Sequence, residues 1–365
     1  MAVLGPNDLK QYAIPATWDA TLLKNATLQS GESYEQLITD IAGGLAIANG
    51  DLMRDPLVAG LVRVTNDPAV EYGIGATNPF ERHTERSEPD AQRGAMTGHM
   101  LPLIPWDGKL GWTWDFLRKA RRSQIDYDIE LKMLALRDLF HQQVLTRHFK
   151  STYDAVGTGK SVPYADGGTA DSTYVPRPVP ERGGTFLYTH NHFLRLDGIT
   201  QANLETAVAH LWEHGIDAPY DLLVAQADIA SWSNTTNVTG WVKRPDTLIR
   251  YGVQTDLANV AGDYIGVVET TYGACRVRAT GRIPTKYWSV YKSEGQNDPR
   301  NPLLVQESAQ YGLGAVLLAG DHIRQYPLEN AILFVEIGVG VNRDRVKAVC
   351  VYNHTSGNYV IPTIS

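Results

Sequence analysis

The segment from Ser123 to Phe149 carries neither glycine nor proline and is the longest helical signal in the chain. Ile125, Ile129, Met133, Leu136, Phe140 and Val144 recur at steps of four and three, while Asp126, Asp128, Glu130, Lys132 and Arg137 occupy other faces. That is the pattern of an amphipathic helix. At ~1.5 Å per residue it reaches roughly 40 Å, where an average globular helix has only about 11–12 residues. A fold containing it is organised around a rod. Ile129, Met133, Leu136 and Phe140 are the expected core of its stripe, with Lys132 turned outward. Ser123 and Asp126 read as a capping box, and the Ser, Gly and Pro residues from Ser151 onward stop the helix.

Ahead of the rod, residues 1–32 show no sustained period and read as an extended arm. Ser33 and Gln36 make a capping pair for a helix over 34–49, in which Gly43 and Gly44 permit close packing against another backbone. The chain then becomes extended, with strand-like runs at 61–64, 70–74 and 99–104. Residues 78–93 between the last two are almost wholly polar, and mixed charge without an apolar face cannot join a core. The pattern predicts a two-stranded finger whose tip bears Glu81, Arg82, Glu85, Arg86, Glu88, Asp90 and Arg93. An excursion this long is usually functional, so Glu81, Arg82, Glu85, Arg86 and Arg93 are the candidate contacts to a partner. The return limb Trp106, Trp112, Trp114 and Phe116 brings aromatic residues to the start of the rod.

After the rod, 151–184 is rich in turn formers and reads as surface. Leu204, Ala207, Val208, Leu211 and Trp212 then mark an amphipathic helix ending at Gly215. Alternating runs at 185–196, 220–226, 264–269, 275–280, 287–291, 332–341 and 346–352 predict strands. Arg276 and Arg278 alternate with core residues and could face a subunit neighbour, a phosphate or water, with water the default environment. The whole is α+β.

Composition excludes several classes of function. The 365 residues are 43% hydrophobic, enough for a well-buried core. A net charge of -7 argues against the basic stripe of a sequence-reading DNA binder. Cys275 and Cys350 sit among apolar neighbours and are expected as buried thiols. No stretch approaches the ~20 apolar residues of a membrane span, and the polar N-terminus has no signal-peptide core, so a cytoplasmic-type compartment is expected.

No constellation of residues carries a reaction. Gly157-Thr158-Gly159-Lys160-Ser161 matches the end of a phosphate-binding loop, but Asp154 stands where its first glycine belongs and Pro163 follows where a helix should begin. His190 and His192 share a strand face, and His210 and His214 lie one helical turn apart. Two such pairs are the raw material of a metal site. The order around them is not His-Glu-x-x-His, however, and the sequence marks no third ligand. They are therefore expected to be solvated or satisfied, with no metal, cofactor or catalytic residue assigned and no change of fold on metal removal.

The order of parts resembles that of the HK97-like major capsid proteins of tailed double-stranded DNA bacteriophages: polar arm, short helix, long hairpin with a charged tip, unusually long helix, then a mixed domain finishing in strands. Residues 218–228 (Ala-Pro-Tyr-Asp-Leu-Leu-Val-Ala-Gln-Ala-Asp), a strand running into a short helix, and Ile283-Pro284-Thr285-Lys286-Tyr287 resemble the family's axial-domain segments. The resemblance implies an N-arm at 1–32, a peripheral-domain helix at 33–54, an E-loop at 55–115, and a peripheral domain with the spine helix at 116–184. It further implies an axial domain at 185–340 and C-terminal strands at 341–365 returning to the peripheral domain. The implied function is a non-catalytic icosahedral shell built of hexamers and pentamers of this one chain. A scaffolding protein, a portal and a decoration protein are its implied partners, with double-stranded DNA enclosed but not read and no membrane involved. Two alternatives stay open: an encapsulin-type nanocompartment shell, and a metal-dependent soluble enzyme using His190, His192, His210 and His214.

Overall fold

A computed structural model of the chain describes residues 28–74, 95–113, 116, 119–156, 159–167, 174–176, 179–182, 190–243, 264–318 and 331–364. In chain order the elements begin with α1 (Tyr34–Leu52), α2 (Pro56–Leu61), β1 (Val62–Thr65), β2 (Ala69–Ile74), β3 (Ala95–Met100), β4 (Ile104–Leu110) and α3 (Arg122–Phe149). They continue with β5 (Asp154–Val156), β6 (Gly159–Ser161), β7 (Phe193–Leu196), α4 (Gln201–Glu213), β8 (Tyr220–Ala225), α5 (Ile229–Trp232), β9 (Trp241–Lys243), β10 (Tyr264–Thr270) and β11 (Gly273–Thr280). β12 (Tyr287–Tyr291), β13 (Leu303–Gln306), β14 (Ala315–Leu318), β15 (Ala331–Val341) and β16 (Ala348–Asn353) complete the set. None of the described helices is long and apolar enough to cross a membrane.

Two compact units result, the first drawn from the described parts of Met1–Asp55, Leu103–His141 and Glu307–Gly338. Its core joins Leu28, Leu37 and Ile41 to Trp112, Ala120 and Ile125. Helix α1 starts as its spacing predicts, with the Gln36 N–H donating to the Ser33 hydroxyl at 3.2 Å. Gly44 of α1 runs so close to α3 that an added Cβ would lie 3.2 Å from the Met133 methyl group, whereas Gly43 faces open space. Helix α3, 28 residues long, does not begin with the expected Ser123–Asp126 box. Instead the Gln124 side chain reaches back to accept the Arg121 N–H at 3.1 Å. Asp126 is drawn to Arg122, whose guanidinium also holds Glu32 at 2.8 Å and Asp40 at 2.9 Å. β14 and β4 flank β15 antiparallel, in the registers Leu317↔Leu333 and Asp107↔Phe334.

The second unit comprises the described parts of Pro56–Pro102, Gln142–Gln306 and Val339–Ser365. A mixed seven-stranded sheet, ordered β7-β16-β12-β8-β11-β10-β9, is its centre. Helix α4, capped by the Thr200 hydroxyl, puts Leu204, Ala207, Val208 and Leu211 wholly out of water against sheet residues including Leu222, Val224, Val277 and Val290. Burying a Leu or Val side chain is worth about 1.5–3 kcal/mol, so this one face dominates the helix's stability. Trp232 of α5 meets Trp288 edge-on at 5.1 Å in the same core. Cys275 and Cys350 are free, buried thiols.

β2 and β3 of this unit form an antiparallel pair, from Ala69↔Met100 to Ile74↔Ala95. Gly98 is required there, because a Cβ would fall 2.7 Å from the Val70 carbonyl oxygen. The single strand expected at 99–104 is instead two, with a break at Leu101–Leu103. Pro102 offers no N–H to a ladder, and Leu101 turns inward to 1% exposure.

Candidate functional site

On α3, Leu136 and Phe140 are 7% and 1% exposed, while Ile129 and Met133 are half-buried. Lys132 is half-buried rather than fully outward. The helix also has a second apolar row that the sequence reading missed. Tyr127, Leu131 and Leu134, at steps of four and three, are 60%, 46% and 39% exposed. Their spacing carries the signal, but a single-stripe reading assigns every other face to polar residues. Ile47 of α1, at 68% exposure, adds a further uncovered side chain to the first unit.

The β2–β3 pair shows a related feature in the second unit. Met96 and Met100 of β3, four residues apart, are exposed, whereas His99 between them is buried and contacts the Val341 carbonyl oxygen at 2.8 Å. The candidate tip residues Glu81, Arg82, Glu85, Arg86 and Arg93 lie outside the described residues. Of the aromatic return limb, Trp112 is buried and donates its indole N–H to Asp128 at 2.8 Å; Trp106 and Phe116 stay partly exposed, and Trp114 lies outside the described residues.

Arg276 and Arg278 are not left to water. Arg276 pairs with the fully buried Asp221 at 2.8 Å and donates to the Ser293 carbonyl at 2.6 Å. Arg278 donates to the Tyr264 hydroxyl at 2.6 Å and to the Pro56 carbonyl oxygen. Tyr264 in turn donates to Asp221 at 2.8 Å, closing an internal network. A buried carboxylate requires such partners, and Asp221 within the apolar run of β8 was the sequence signal for them.

The segment resembling a phosphate loop is two short paired strands, Asp154–Val156 against Gly159–Ser161, and no helix follows it. The side chain of Lys160 lies outside the described residues.

The four histidines are not simply exposed: His192 is buried, and His190, His210 and His214 are half-buried. His192 immediately precedes β7, and His190 lies two residues before it, outside the strand. His210 and His214 lie at the C-terminal end of α4. The fold brings the pairs together. The Nε2 atoms of His190, His192 and His214 form a triangle with sides of 3.0, 3.1 and 2.7 Å. His210 stacks edge-on to His190 with ring centroids 5.0 Å apart. Burial, reinforced by the neighbouring imidazoles, lowers the pKa of His190 to about 4 and of His214 to about 3, and holds His192 well below its ordinary value. Nothing in the sequence predicts this meeting, because it depends on how α4 lies against the segment entering β7.

No protein-family model and no curated protein matches this chain. Among solved structures, one from Mycobacterium phage Patience is 21% identical and superposes with a TM-score of 0.65 over 92% of both chains. The bacteriophage PhiM1 mature capsid gives 12% identity and a TM-score of 0.46, covering 82% of this chain and 87% of that one. The SrpI encapsulin of Synechococcus elongatus gives 11% identity and a TM-score of 0.39, covering 84% and 90%. The last two superpose too loosely to bear on the fold. The first is close enough over nearly the whole length of both molecules to assign it: this chain has the HK97-like α+β fold that its order of elements resembles.

Proposed function

We propose that this chain is the major capsid protein of a tailed double-stranded DNA phage, a structural protein whose copies close into hexamers and pentamers and then into an icosahedral shell. The observation that carries the reading is the uncovered row Tyr127, Leu131 and Leu134 on a rod-like helix, in a fold shared with a phage protein over 92% of both chains. A helix that leaves such a row in water forfeits about 25 cal/mol for each Å² of apolar surface left uncovered, and a second copy of the chain is the partner always at hand. The charged tip Glu81, Arg82, Glu85, Arg86 and Arg93 is assigned to contacts between subunits, and a net charge of -7 suits a container that encloses DNA without clamping it. A scaffolding protein, a portal and a decoration protein are the expected partners, and the virion the expected location.

Sedimentation velocity on the purified chain tests this. The reading expects species far above the 40.3 kDa protomer, and Leu131→Glu with Leu134→Glu should return the protein to that mass with its fold retained. A wild type that stays protomeric at every concentration, or a double variant that assembles normally, contradicts it.

A further inference from the structure

The histidine triangle has a chemical problem that protons cannot solve. The Nδ1 of His192 lies 2.8 Å from the Ala348 carbonyl oxygen, which can only accept, so Nδ1 carries the proton and Nε2 presents its lone pair. Each Nε2 of the triangle is either a donor or an acceptor. In a ring of three, at least one pair must therefore bring like against like. Giving both His190 and His214 an Nε2–H opposes two donors across 2.7 Å; removing either proton opposes two lone pairs across 3.0 or 3.1 Å. A cation that accepts three lone pairs removes the conflict in every such arrangement.

We propose that His190, His192 and His214 bind a zinc-type divalent metal ion through their Nε2 atoms, forming a clasp between the C-terminal end of α4 and the segment entering β7. These three are one of two groups of His, Cys, Asp or Glu among the described residues whose donor atoms lie within 4.8 Å of one another; the other, His190, His210 and Glu213, shares His190. The Nδ1 of His210 is buried with no hydrogen-bond partner among the described residues. Zinc bonds imidazole nitrogen at ~2.0–2.1 Å, which sets tetrahedral ligands about 3.3 Å apart, so loading opens the triangle by a few tenths of an ångström.

The surroundings suit such a site. His192 is wholly buried and its backbone is tied on both sides, its N–H to the Ala165 carbonyl at 2.7 Å and its carbonyl to the Cys350 N–H at 2.8 Å. Its Nδ1–H bond to Ala348 is the kind of outer contact that fixes a ligating ring's tautomer and orientation. The role is structural, a cross-link within one unit, and it is independent of the capsid reading.

The test uses the full chain, stripped with a chelator and titrated with zinc chloride while metal content and melting temperature are followed. The expected result is saturable binding of one zinc per chain and a melting temperature that climbs with free zinc. His190→Gln and His214→Gln, at half-buried positions, should each weaken binding by about tenfold or more and remove the climb, while their metal-free melting temperatures stay close to that of the wild type. Cobalt(II) in place of zinc should give the intense visible bands of a tetrahedral site, absent in both variants. A wild-type melting temperature indifferent to zinc at millimolar concentration overturns the proposal. So does either variant titrating like the wild type.

Discussion

Helix α4 buries Leu204, Ala207, Val208 and Leu211 completely against its own sheet, while α3, more than twice as long, keeps Tyr127, Leu131 and Leu134 in water. Both are amphipathic and both are capped, so local sequence rules do not separate them. What differs is where the packing ends. The 13-residue helix finds every apolar partner within its chain; the 28-residue helix has one row satisfied internally, through Leu136 and Phe140, and another that is not. A short helix with a complete core is a stability element, and a long one with a spare apolar row is material for association.

Substitution on α4 should have the largest effect on folding. Leu211→Ala leaves a cavity in a closed core and should cost about 2–5 kcal/mol, read as a lower denaturation midpoint. Leu136→Ala on α3 should fall toward the lower end of that range, because its site is less completely enclosed. If Leu136 proves the costlier of the two, the contrast between the helices is wrong.

Acid should distinguish the sheet unit next. Burial holds His148 at about 3 and His99 at about 4, against ~6.5 in an unfolded chain. Because the unfolded state binds these protons more readily, the stability the neutral rings contribute is present above about pH 6.5 and is lost as pH falls toward 4 and then 3. His148 also accepts or donates at both ring nitrogens, to Tyr164 at 2.9 Å and Ser289 at 2.8 Å, so replacing it with Gln should flatten the decline. A melting temperature constant between pH 6.5 and 4.5 would be incompatible with two buried neutral imidazoles.

On the exposed row the order of effects reverses. Leu131→Glu and Leu134→Glu should shift protomer stability by no more than about 0.5 kcal/mol, as for other surface changes, yet prevent association. Reversing Arg82 and Arg86 to Glu should likewise spare folding and make assembly strongly salt-dependent, as exposed ion pairs contribute only about 0–1 kcal/mol each. Lys132→Ala, the mildest change, should alter neither property measurably. Calorimetry paired with light scattering separates the two effects; a variant altered equally in both is evidence against a division between inner and outer rows.

Much of the architecture was legible because period and punctuation agree locally. Ser33 and Gln36 cap α1, Gly215 follows α4, and the strand expected over 287–291 became β12 with the same bounds, although all five of its residues are buried rather than alternating. Legibility failed where the outcome depends on distant partners. Arg276 looks like a solvent-facing strand residue until Asp221, on the neighbouring strand β8, is placed beside it. His190 and His192 become part of a cluster only because α4 delivers His214 to them. Tyr127, Leu131 and Leu134 passed unnoticed for a different reason: one apolar stripe suffices for a helix inside a monomer, and a second has meaning only where another molecule supplies its cover.

Electron microscopy of the purified wild-type chain tests the central claim most directly, that the packing left open on α3 is completed by further copies. Rings of six or five subunits, curved sheets or closed shells are the predicted result, with the Leu131→Glu, Leu134→Glu protein showing none of them. A field of small particles of protomer size, unchanged as concentration rises, would contradict the account.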